Sequence, residues 1–264
     1  MAMSNASALG SSGSAPTSSG TSGSSELPEV LLSEGSKGPD VQRLQAVLIQ
    51  LGYLSGKADG DFGPRTKLAL TRFQTDWRLT VDGEYGPRTR AALLKALVPV
   101  KKPPVVSKPS QNQESRRGVA IDAIILHHTA TNSARVDLAT LRWVRGSNRV
   151  SAHYLVGPDG TVYQLVPDSQ VAWHAGRSSL HGDTEPSVNA RSIGIEITND
   201  GTGQTPFTEA QYRALEQLVP YLARRYRVPR ENILGHRDVA PGRKTDPADH
   251  FDWARVRRAV DAAV

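Results

Sequence analysis

The feature that most restricts the fold of this chain is a short segment that occurs twice near its N-terminus. Asp59-Gly-Asp-Phe-Gly-Pro-Arg-Thr-Lys-Leu-Ala-Leu70 recurs as Asp82-Gly-Glu-Tyr-Gly-Pro-Arg-Thr-Arg-Ala-Ala-Leu93. In each copy Asp-Gly favours a turn, and proline after glycine favours the first turn of a helix. The aromatic residue between them, Phe62 or Tyr85, is placed to enter a core. The repeat therefore predicts two equivalent turn–helix units that pack together.

Apolar residues at helical spacing lie before and between the two copies. The first helix is predicted from Val41, Leu44, Leu48 and Leu51 and ends near Gly52; the second passes through Leu68, Leu70, Phe73 and Trp77. We therefore predict a small three-helix domain over residues 27–98. We interpret the repeated residues as turn and core elements and nominate no ligand contact among them.

Two segments without a predicted core divide the chain. Residues 1–26 are mostly Ser, Gly, Ala and Thr, which bury too little surface to offset the entropy of ordering, so we predict a disordered tail. Residues 99–118 combine proline with lysine and arginine and are predicted to be an extended, semi-rigid linker. Residues 119–264 form a second folded unit.

Composition limits the classes of function. The 264 residues include no cysteine, which excludes disulfides and thiolate ligands, and the net charge of +6 suits a polyanionic partner or simply favours solubility. No apolar run is long enough to cross a bilayer, so we predict no membrane insertion. No N-terminal pattern of a secretory signal is present. We find no basic and aromatic pattern typical of nucleic-acid modules, and nothing suggests more than a monomer.

The second unit alternates predicted strands and helices. Residues 119–126 form an apolar strand, 153–166 a hairpin about a Gly-Pro-Asp-Gly turn, and 192–199 another strand. Thr208 to Gln211 reads as a capping box that opens an amphipathic helix, and a last helix begins near Asp252. The predicted class is α/β, with a mixed central β-sheet flanked by helices.

A motif over residues 235–247, G-H-R-D-V-A-P-G-R-K-T-D-P, predicts a metal site. It offers an imidazole, His236, and a carboxylate, Asp246, to one divalent ion. Upstream, a predicted strand ends in His127 and His128, of which only one can coordinate because adjacent strand residues face opposite sides; we favour His127. Two histidines and one aspartate form a donor set for catalytic zinc (Zn²⁺) that leaves a fourth position open.

Two further residues are candidates for the chemistry. Ile193, Ile195 and Ile197 take one face of their predicted strand, so Glu196 lies on the other, where it is either solvated or directed into a site. Near zinc it would serve as a general base. Lys244, two residues before Asp246, is either an exposed lysine or a cation that stabilises an oxyanion.

Three residues are candidates for the substrate side. His153 ends the segment S-A-H, and Trp173 and His174 lie together in A-W-H-A-G. Tryptophan beside histidine and small residues suggests a groove wall that stacks on sugar or peptide. A core or rim position is the alternative for both histidines.

These motifs resemble two known families. The repeat, within residues 36–97, resembles the peptidoglycan-binding domain of cell-wall hydrolases, which implies binding to the wall. The motifs L-H-H-T-A-T, S-A-H-Y-L-V-G-P-D-G, A-W-H-A-G, S-I-G-I-E-I-T-N and G-H-R-D-V-A-P-G-R-K-T-D-P occur in order across residues 121–253. They resemble the type-2 zinc N-acetylmuramoyl-L-alanine amidases, which include T7-type lysozymes, muropeptide amidases and peptidoglycan recognition proteins.

The resemblance implies roles for individual residues. His127, His236 and Asp246 match the zinc ligands, Glu196 the catalytic glutamate and Lys244 the catalytic lysine. Some T7-type members have a tyrosine where this chain has Ala152, and many relatives have cysteine as third ligand. Ala152 argues against a tyrosine-assisted mechanism, and the aspartate ligand implies the muropeptide-amidase branch, in which glutamate is the base.

The implied function is hydrolysis of the amide between N-acetylmuramic acid and L-alanine in bacterial peptidoglycan. We expect a phage endolysin that stays in the host cytoplasm until release and then acts on the cell wall. The alternatives are a non-catalytic recognition protein, a host enzyme that remodels the wall, and another zinc hydrolase such as a peptidase of the stem cross-link.

Overall fold

A computed structural model of the chain describes residues 27–143 and 149–263. The tail predicted over residues 1–26 lies outside the described residues. The helices are α1 (Pro39–Gln50), α2 (Pro64–Asp76), α3 (Pro87–Leu97), α4 (Ala134–Arg142), α5 (Val188–Arg191), α6 (Glu209–Tyr226), α7 (His236–Val239) and α8 (Trp253–Ala263), with a 3₁₀ turn at Arg230–Asn232. The strands are β1 (Val106–Ser107), β2 (Gln113–Ser115), β3 (Ala123–His128), β4 (Tyr154–Val156), β5 (Val162–Gln164), β6 (Gln170–Ala172), β7 (Ser192–Ile197) and β8 (Ile233–Gly235). No helix in these ranges is long and apolar enough to span a membrane.

The predicted three-helix domain is confirmed. Each of α1, α2 and α3 begins at a proline that directly follows a glycine, a position where the missing N–H costs no helical hydrogen bond. Phe62 and Tyr85, the aromatic residues of the repeat, are fully buried in one core with leucines of all three helices. The repeat therefore builds the domain's interior, as its sequence predicts.

Each turn of the repeat is fixed by a buried glutamine that the sequence analysis did not single out. Gln45 donates from Nε2 to Oδ1 of Asp59 at 2.8 Å and accepts at Oε1 from the backbone N–H of Gly60, also at 2.8 Å. Gln74 makes the same pair of bonds to the second Asp-Gly turn, with Asp82 at 2.6 Å. Both aspartates are therefore structural.

The second unit contains the predicted mixed sheet, with strand order β1-β5-β4-β7-β3-β8. β4 and β5 form the expected antiparallel hairpin, whereas β4, β7, β3 and β8 run parallel to one another. Parallel strands end at a common edge of the sheet. The ends of β3, β7 and β8 therefore bring their last residues, and the loops that follow, to one place.

Helices α6 and α8 cover one face of this sheet. Ile193, Ile195 and Ile197 of β7 point into that core and are fully buried. α6 begins at the predicted capping box, in which the Thr208 hydroxyl and the Gln211 side chain each bond the other residue's backbone N–H. Because side chains alternate along a strand, the remaining residues of β7 face the opposite side, where the polar residues gather.

Residues 99–118 differ from the predicted open linker. β1 pairs with β5, and β2 pairs with β6, so both short strands join the second unit. Ser110, Asn112 and Arg116 are buried there. Proline and basic residues suggested exposure, but the backbone and polar side chains find partners on the sheet edge, which the local sequence does not reveal.

The three-helix domain contacts the second unit near the end of α6. Arg224 donates to the carbonyl of Ala96, and Arg227 donates to the carbonyl of Leu51 at 2.6 Å. A cavity of about 620 Å³ lies at this contact and contains none of the candidate catalytic residues.

Candidate active site

Three candidate ligands converge at the carboxyl edge of the sheet. His127 ends β3, His236 begins α7 just after β8, and Asp246 lies in the following loop. The Nδ1 atoms of the two histidines are 3.0 Å apart, and Oδ2 of Asp246 lies 3.0 Å from His127 Nδ1 and 3.1 Å from His236 Nδ1. All three residues are buried. The structure thus brings together the three residues that the sequence predicts as a metal set.

Arg237 of α7 holds the loop that carries Asp246 in place. The guanidinium of Arg237 donates to the carbonyls of Thr245 and Pro247, on either side of Asp246, and the Arg237 backbone N–H donates to the Asp246 carbonyl at 2.9 Å. These bonds direct the carboxylate inward, towards His127.

The donor set fits zinc. Two ligand atoms bound to zinc at roughly 2.0–2.1 Å in tetrahedral geometry lie about 3.3 Å apart, close to the separations found here. His236 Nε2 donates to the carbonyl of Ala175 at 3.0 Å. A carbonyl can only accept, so the neutral ring carries its proton on Nε2 and directs the lone pair of Nδ1 to the other two ligands. Lone pairs that face one another in a buried space are suited to a cation.

Burial perturbs the pKa values of His127 and Asp246. It lowers the pKa of His127 to about 4, which keeps the imidazole neutral at pH 7. Burial alone would raise the pKa of the Asp246 carboxyl, but the imidazoles of His127 and His236 beside it hold that pKa well below its usual range. Neutral imidazoles and an ionised carboxylate are the protonation states that bind metal.

His128 is not part of this group. Its Nδ1 accepts a hydrogen bond from the backbone N–H of Ala248 at 3.2 Å. The alternation of side chains along β3 therefore separates the two histidines, and His127 is the one that faces Asp246.

Glu196 lies on β7 beside His127, its register partner on β3. It is partly buried, and its Oε2 has no hydrogen-bond partner among the described residues. Burial, and then the nearby carboxylates of Asp246 and Asp137, raise its pKa to about 8, while Lys244 acts in the opposite direction. An unpaired, partly buried carboxyl beside a metal set is typical of a catalytic acid–base group rather than a solvated surface residue.

Lys244 lies in the loop between α7 and Asp246, where its backbone N–H donates to the carbonyl of Ala240 at 3.1 Å. It lines a cleft of about 450 Å³ together with Glu196 and two of the candidate ligands, His236 and Asp246. The other lining residues include Thr129, Thr131, Asp137, Thr140, Val150, Ser151, Trp173, His174, Arg243 and Thr245. A cation and an acid–base carboxyl therefore share one cleft.

The prediction that His153 contacts substrate does not agree with the structure. His153 is fully buried behind β7, where Nδ1 accepts from the backbone N–H of Gly194 at 3.0 Å and Nε2 lies 3.1 Å from the carbonyl of Gln170. Burial, with the neighbouring charge of Arg116, lowers the pKa of His153 to about 3. Its position is the core alternative that the sequence left open.

His174 and Trp173 both lie at the cleft wall but differ in their burial and hydrogen bonds. Trp173 is half-buried and lines the cleft, and its Nε1 donates to Oε1 of Glu114 at 3.0 Å. His174 is buried, and both ring nitrogens are within hydrogen-bond distance of protein atoms, His127 Nε2 at 3.0 Å and Ser192 Oγ at 3.2 Å. Trp173 and His174 both line the cleft, so their contact with substrate stays a prediction; His174 also contacts the ligand residue His127.

Sequence reasoning missed Arg116, which lies within the segment predicted as a linker. Its buried guanidinium donates to the carbonyls of Asp168 and Ser192, both at 2.8 Å, and lies 2.8 Å from His153 Nε2. Burial lowers its pKa to about 10. Next to Arg117 and after prolines, Arg116 carries no local signal of burial.

Comparisons with known proteins find relatives of both units. Residues 117–249 match the family described as N-acetylmuramoyl-L-alanine amidase, and residues 37–93 match a putative peptidoglycan binding domain. The 1,6-anhydro-N-acetylmuramyl-L-alanine amidase AmpD of Citrobacter freundii is 46% identical over 112 residues, which are 42% of this chain and 58% of that protein. The N-acetylmuramoyl-L-alanine amidase AmiD of Escherichia coli (strain K12) is 35% identical over 171 residues, 58% of this chain and 59% of that protein.

The chain therefore spans less than two thirds of the length of these curated relatives. Among solved structures, a selenomethionine derivative of AmpD superposes with a TM-score of 0.53 at 31% identity, covering 63% of this chain and 97% of that one.

Proposed function

We propose, from the premise that this chain belongs to the N-acetylmuramoyl-L-alanine amidase family, that it is a zinc-dependent hydrolase of bacterial peptidoglycan. The bond cleaved is the amide between the lactyl group of N-acetylmuramic acid and L-alanine of the stem peptide. One observation carries the proposal. His127 Nδ1, His236 Nδ1 and Asp246 Oδ2 lie within 3.1 Å of one another, beside an unpaired oxygen of Glu196.

His127, His236 and Asp246 would hold the zinc ion. When bound, zinc supplies Lewis-acid polarisation of the scissile carbonyl and lowers the pKa of water at the site. Every other task falls to side chains of the cleft.

Glu196 is the proposed general base and acid. Its free Oε2 accepts a proton from the attacking water as the water oxygen bonds to the carbonyl carbon. The same carboxyl then delivers the proton to the leaving nitrogen when the carbon–nitrogen bond breaks. A pKa raised to about 8 makes the protonated form a competent acid, and a cation held by the triad would stabilise the carboxylate form needed for the first step.

Lys244 is the proposed partner of the developing oxyanion. Its side chain lines the cleft that contains Glu196, and an ammonium in a cleft stabilises negative charge that develops on the carbonyl oxygen. Trp173, on the wall of the same cleft, offers a flat surface for sugar or peptide.

The three-helix domain is proposed to bind the wall. Its match to a putative peptidoglycan binding domain over residues 37–93 supports this role. Binding to an insoluble substrate raises the local concentration of amide bonds at the second unit. We therefore expect faster cleavage of intact wall than of soluble muropeptides.

The biological setting is proposed to be that of an endolysin, released from the host cytoplasm to act on the wall. A second candidate is a bacterial enzyme of wall remodelling or recycling, which the bacterial sources of the curated relatives favour. Relative rates on intact wall and on soluble anhydro-muropeptides distinguish a recycling enzyme, which acts on the soluble products, from an enzyme that acts on the intact wall.

The test is digestion of purified peptidoglycan with mass analysis of the soluble products. Wild type should release stem peptides with a free L-alanine amine, chelation should stop the release, and added zinc should restore it. Glu196→Gln keeps the shape of the side chain but removes the base, so it should release at least a hundredfold less. Arg177→Gln, at an exposed residue outside the cleft lining, is the control and should match wild type.

Two results would refute the proposal in different ways. Binding to peptidoglycan without release of any product would make the chain a recognition protein. Release of a new amine other than that of L-alanine would make it a different zinc hydrolase, such as a peptidase.

A further inference from the structure

His174 is held rigidly behind His127. It follows β6, and its backbone N–H donates to Oδ1 of Asn189 at 3.1 Å. Its ring lies directly on Gly194 of β7, where a Cβ atom would be only 2.3 Å from the ring carbon Cγ. The ring can approach the strand this closely because residue 194 has no side chain.

Hydrogen bonds determine where the proton of His174 lies. Ser192 Oγ is 2.5 Å from the carbonyl oxygen of Val188, which can only accept, so the single hydroxyl proton is directed there. Ser192 Oγ is therefore an acceptor for His174 Nε2, 3.2 Å away. His174 carries its proton on Nε2 and has a lone pair on Nδ1.

The proton position of His127 follows from its contact with His174. His174 Nδ1 lies 3.0 Å from His127 Nε2. Because this Nδ1 is an acceptor, the proton of His127 must lie on Nε2. The lone pair of His127 is then on Nδ1, the atom that faces His236 and Asp246. If Ser192 instead donated to His174 Nε2, the proton of His174 would lie on its Nδ1. The proton of His127 would then also lie on Nδ1, inside the proposed metal site.

We propose that His174, oriented by Ser192, is a positioning residue that fixes the tautomer of His127 and so presents Nδ1 to the metal. The inference rests on the proposed function, because it assumes that zinc occupies the triad. The carbonyl of Ala175, the next residue, does the same for His236. One short segment, residues 174–175, thus orients both histidine ligands.

Zinc affinity is the first test, measured by competition with a chelator. His174→Phe keeps the ring and removes both nitrogens, and we expect a 10–100-fold weaker affinity, the usual loss when an outer hydrogen-bond partner of a ligand is removed. His174→Asn should restore much of the affinity, because its amide oxygen is attached to Cγ, as Nδ1 is. His181→Phe, at an exposed histidine bonded to Asn232, is the control and should bind zinc as wild type does.

The tautomer itself is the second test, read from ¹H–¹⁵N histidine spectra of the zinc-free protein. Wild type and His174→Asn should show His127 protonated on Nε2, and His174→Phe should show a population protonated on Nδ1. If His174→Phe does not fold, Ser192→Ala takes its place. It should show both tautomers of His127, with a smaller loss of affinity.

The outcomes separate this inference from the proposed function. Wild type that binds no zinc would refute the metal site, while the spectra of the zinc-free protein would still test the role of His174. Wild type that binds zinc, with folded His174→Phe or Ser192→Ala unchanged in affinity and in the tautomer of His127, would overturn the inference alone.

Discussion

Substituting Gly194 by alanine tests how tightly the ring of His174 is held. The new Cβ would lie 2.3 Å from Cγ, 2.5 Å from Cδ2 and 2.6 Å from Nδ1 of His174. Carbon atoms in contact are normally at least about 3.5 Å apart, so the ring must move by roughly 1 Å. Such a movement disrupts the bonds of His174 to His127 and Ser192, which are 3.0 and 3.2 Å long.

The expected cost combines two effects. Overpacking of a filled site costs typically 1–3 kcal/mol, and each of the two lost hydrogen bonds costs about 1 kcal/mol. We therefore expect Gly194→Ala to lower the free energy of unfolding of the amidase unit by about 3–5 kcal/mol. Zinc affinity should fall by about 10–100-fold, since His127 loses its outer partner.

Denaturant unfolding with and without chelator, together with zinc competition, measures both quantities. Gly63→Ala is the matched control, because a Cβ there meets nothing within 4 Å and its φ of −91° suits any residue. Gly194→Ala with the stability and zinc affinity of wild type would show that the ring has room to move, and the reasoning about its fixed tautomer would fail.

Three further outcomes follow from other buried groups. His153 has a pKa of about 3 in the folded protein, against about 6.5 when unfolded. As pH falls below 6.5 the unfolded state binds the proton first, so this residue should lower stability by about 1.4 kcal/mol per pH unit down to pH 3. Unfolding free energies measured in chelator at several pH values should show this dependence on pH reduced in His153→Gln by the contribution of one proton. An equal slope in His153→Gln and wild type would mean that His153 is protonated when folded. A chain that starts at residue 119 lacks β1, β2 and Arg116, whose loss leaves buried carbonyls without donors. Arg116 alone donates to the carbonyls of Asp168, Ala190 and Ser192. At about 1 kcal/mol for each of these three bonds, the shorter chain should melt roughly 6–12 °C below a chain that starts at residue 101, and equal melting by circular dichroism would contradict the structural role of this segment. Gln45→Ala should destabilise the three-helix domain by about 2–4 kcal/mol in urea unfolding, whereas exposed Gln50→Ala should change it by less than about 0.5 kcal/mol; similar values for the two would refute the role of the buried network.

The parts of the fold that the sequence predicted are those with a local signal. The proline after glycine at Pro64 and Pro87 marked two helices, and Thr208 with Gln211 marked the start of α6. Alternation along β7 separated Glu196 from its isoleucine neighbours, and alternation along β3 separated His127 from His128. Each of these predictions depends on residues close together in the chain, where steric and hydrogen-bonding preferences act directly.

The parts that were not predicted depend on contacts between distant segments. Arg116 lies in a basic, proline-containing stretch, yet it is buried because carbonyls of residues 168 and 192 surround it. The local sequences around His153 and His174 do not distinguish a buried position from a position that faces substrate. Their burial depends on how β4 and β6 pack against β7. Gln45 is one glutamine among several in α1, and its partner Asp59 follows only after a helix end.

The most direct test of the proposed metal site is a zinc titration of chelator-treated wild type, His127→Ala and His128→Ala. The two histidines are adjacent in sequence, but only His127 faces His236 and Asp246. We expect one equivalent of zinc to bind tightly to wild type and to His128→Ala, and His127→Ala to lose tight binding. Tight binding retained by His127→Ala, or lost only in His128→Ala, would contradict the site described by the structure.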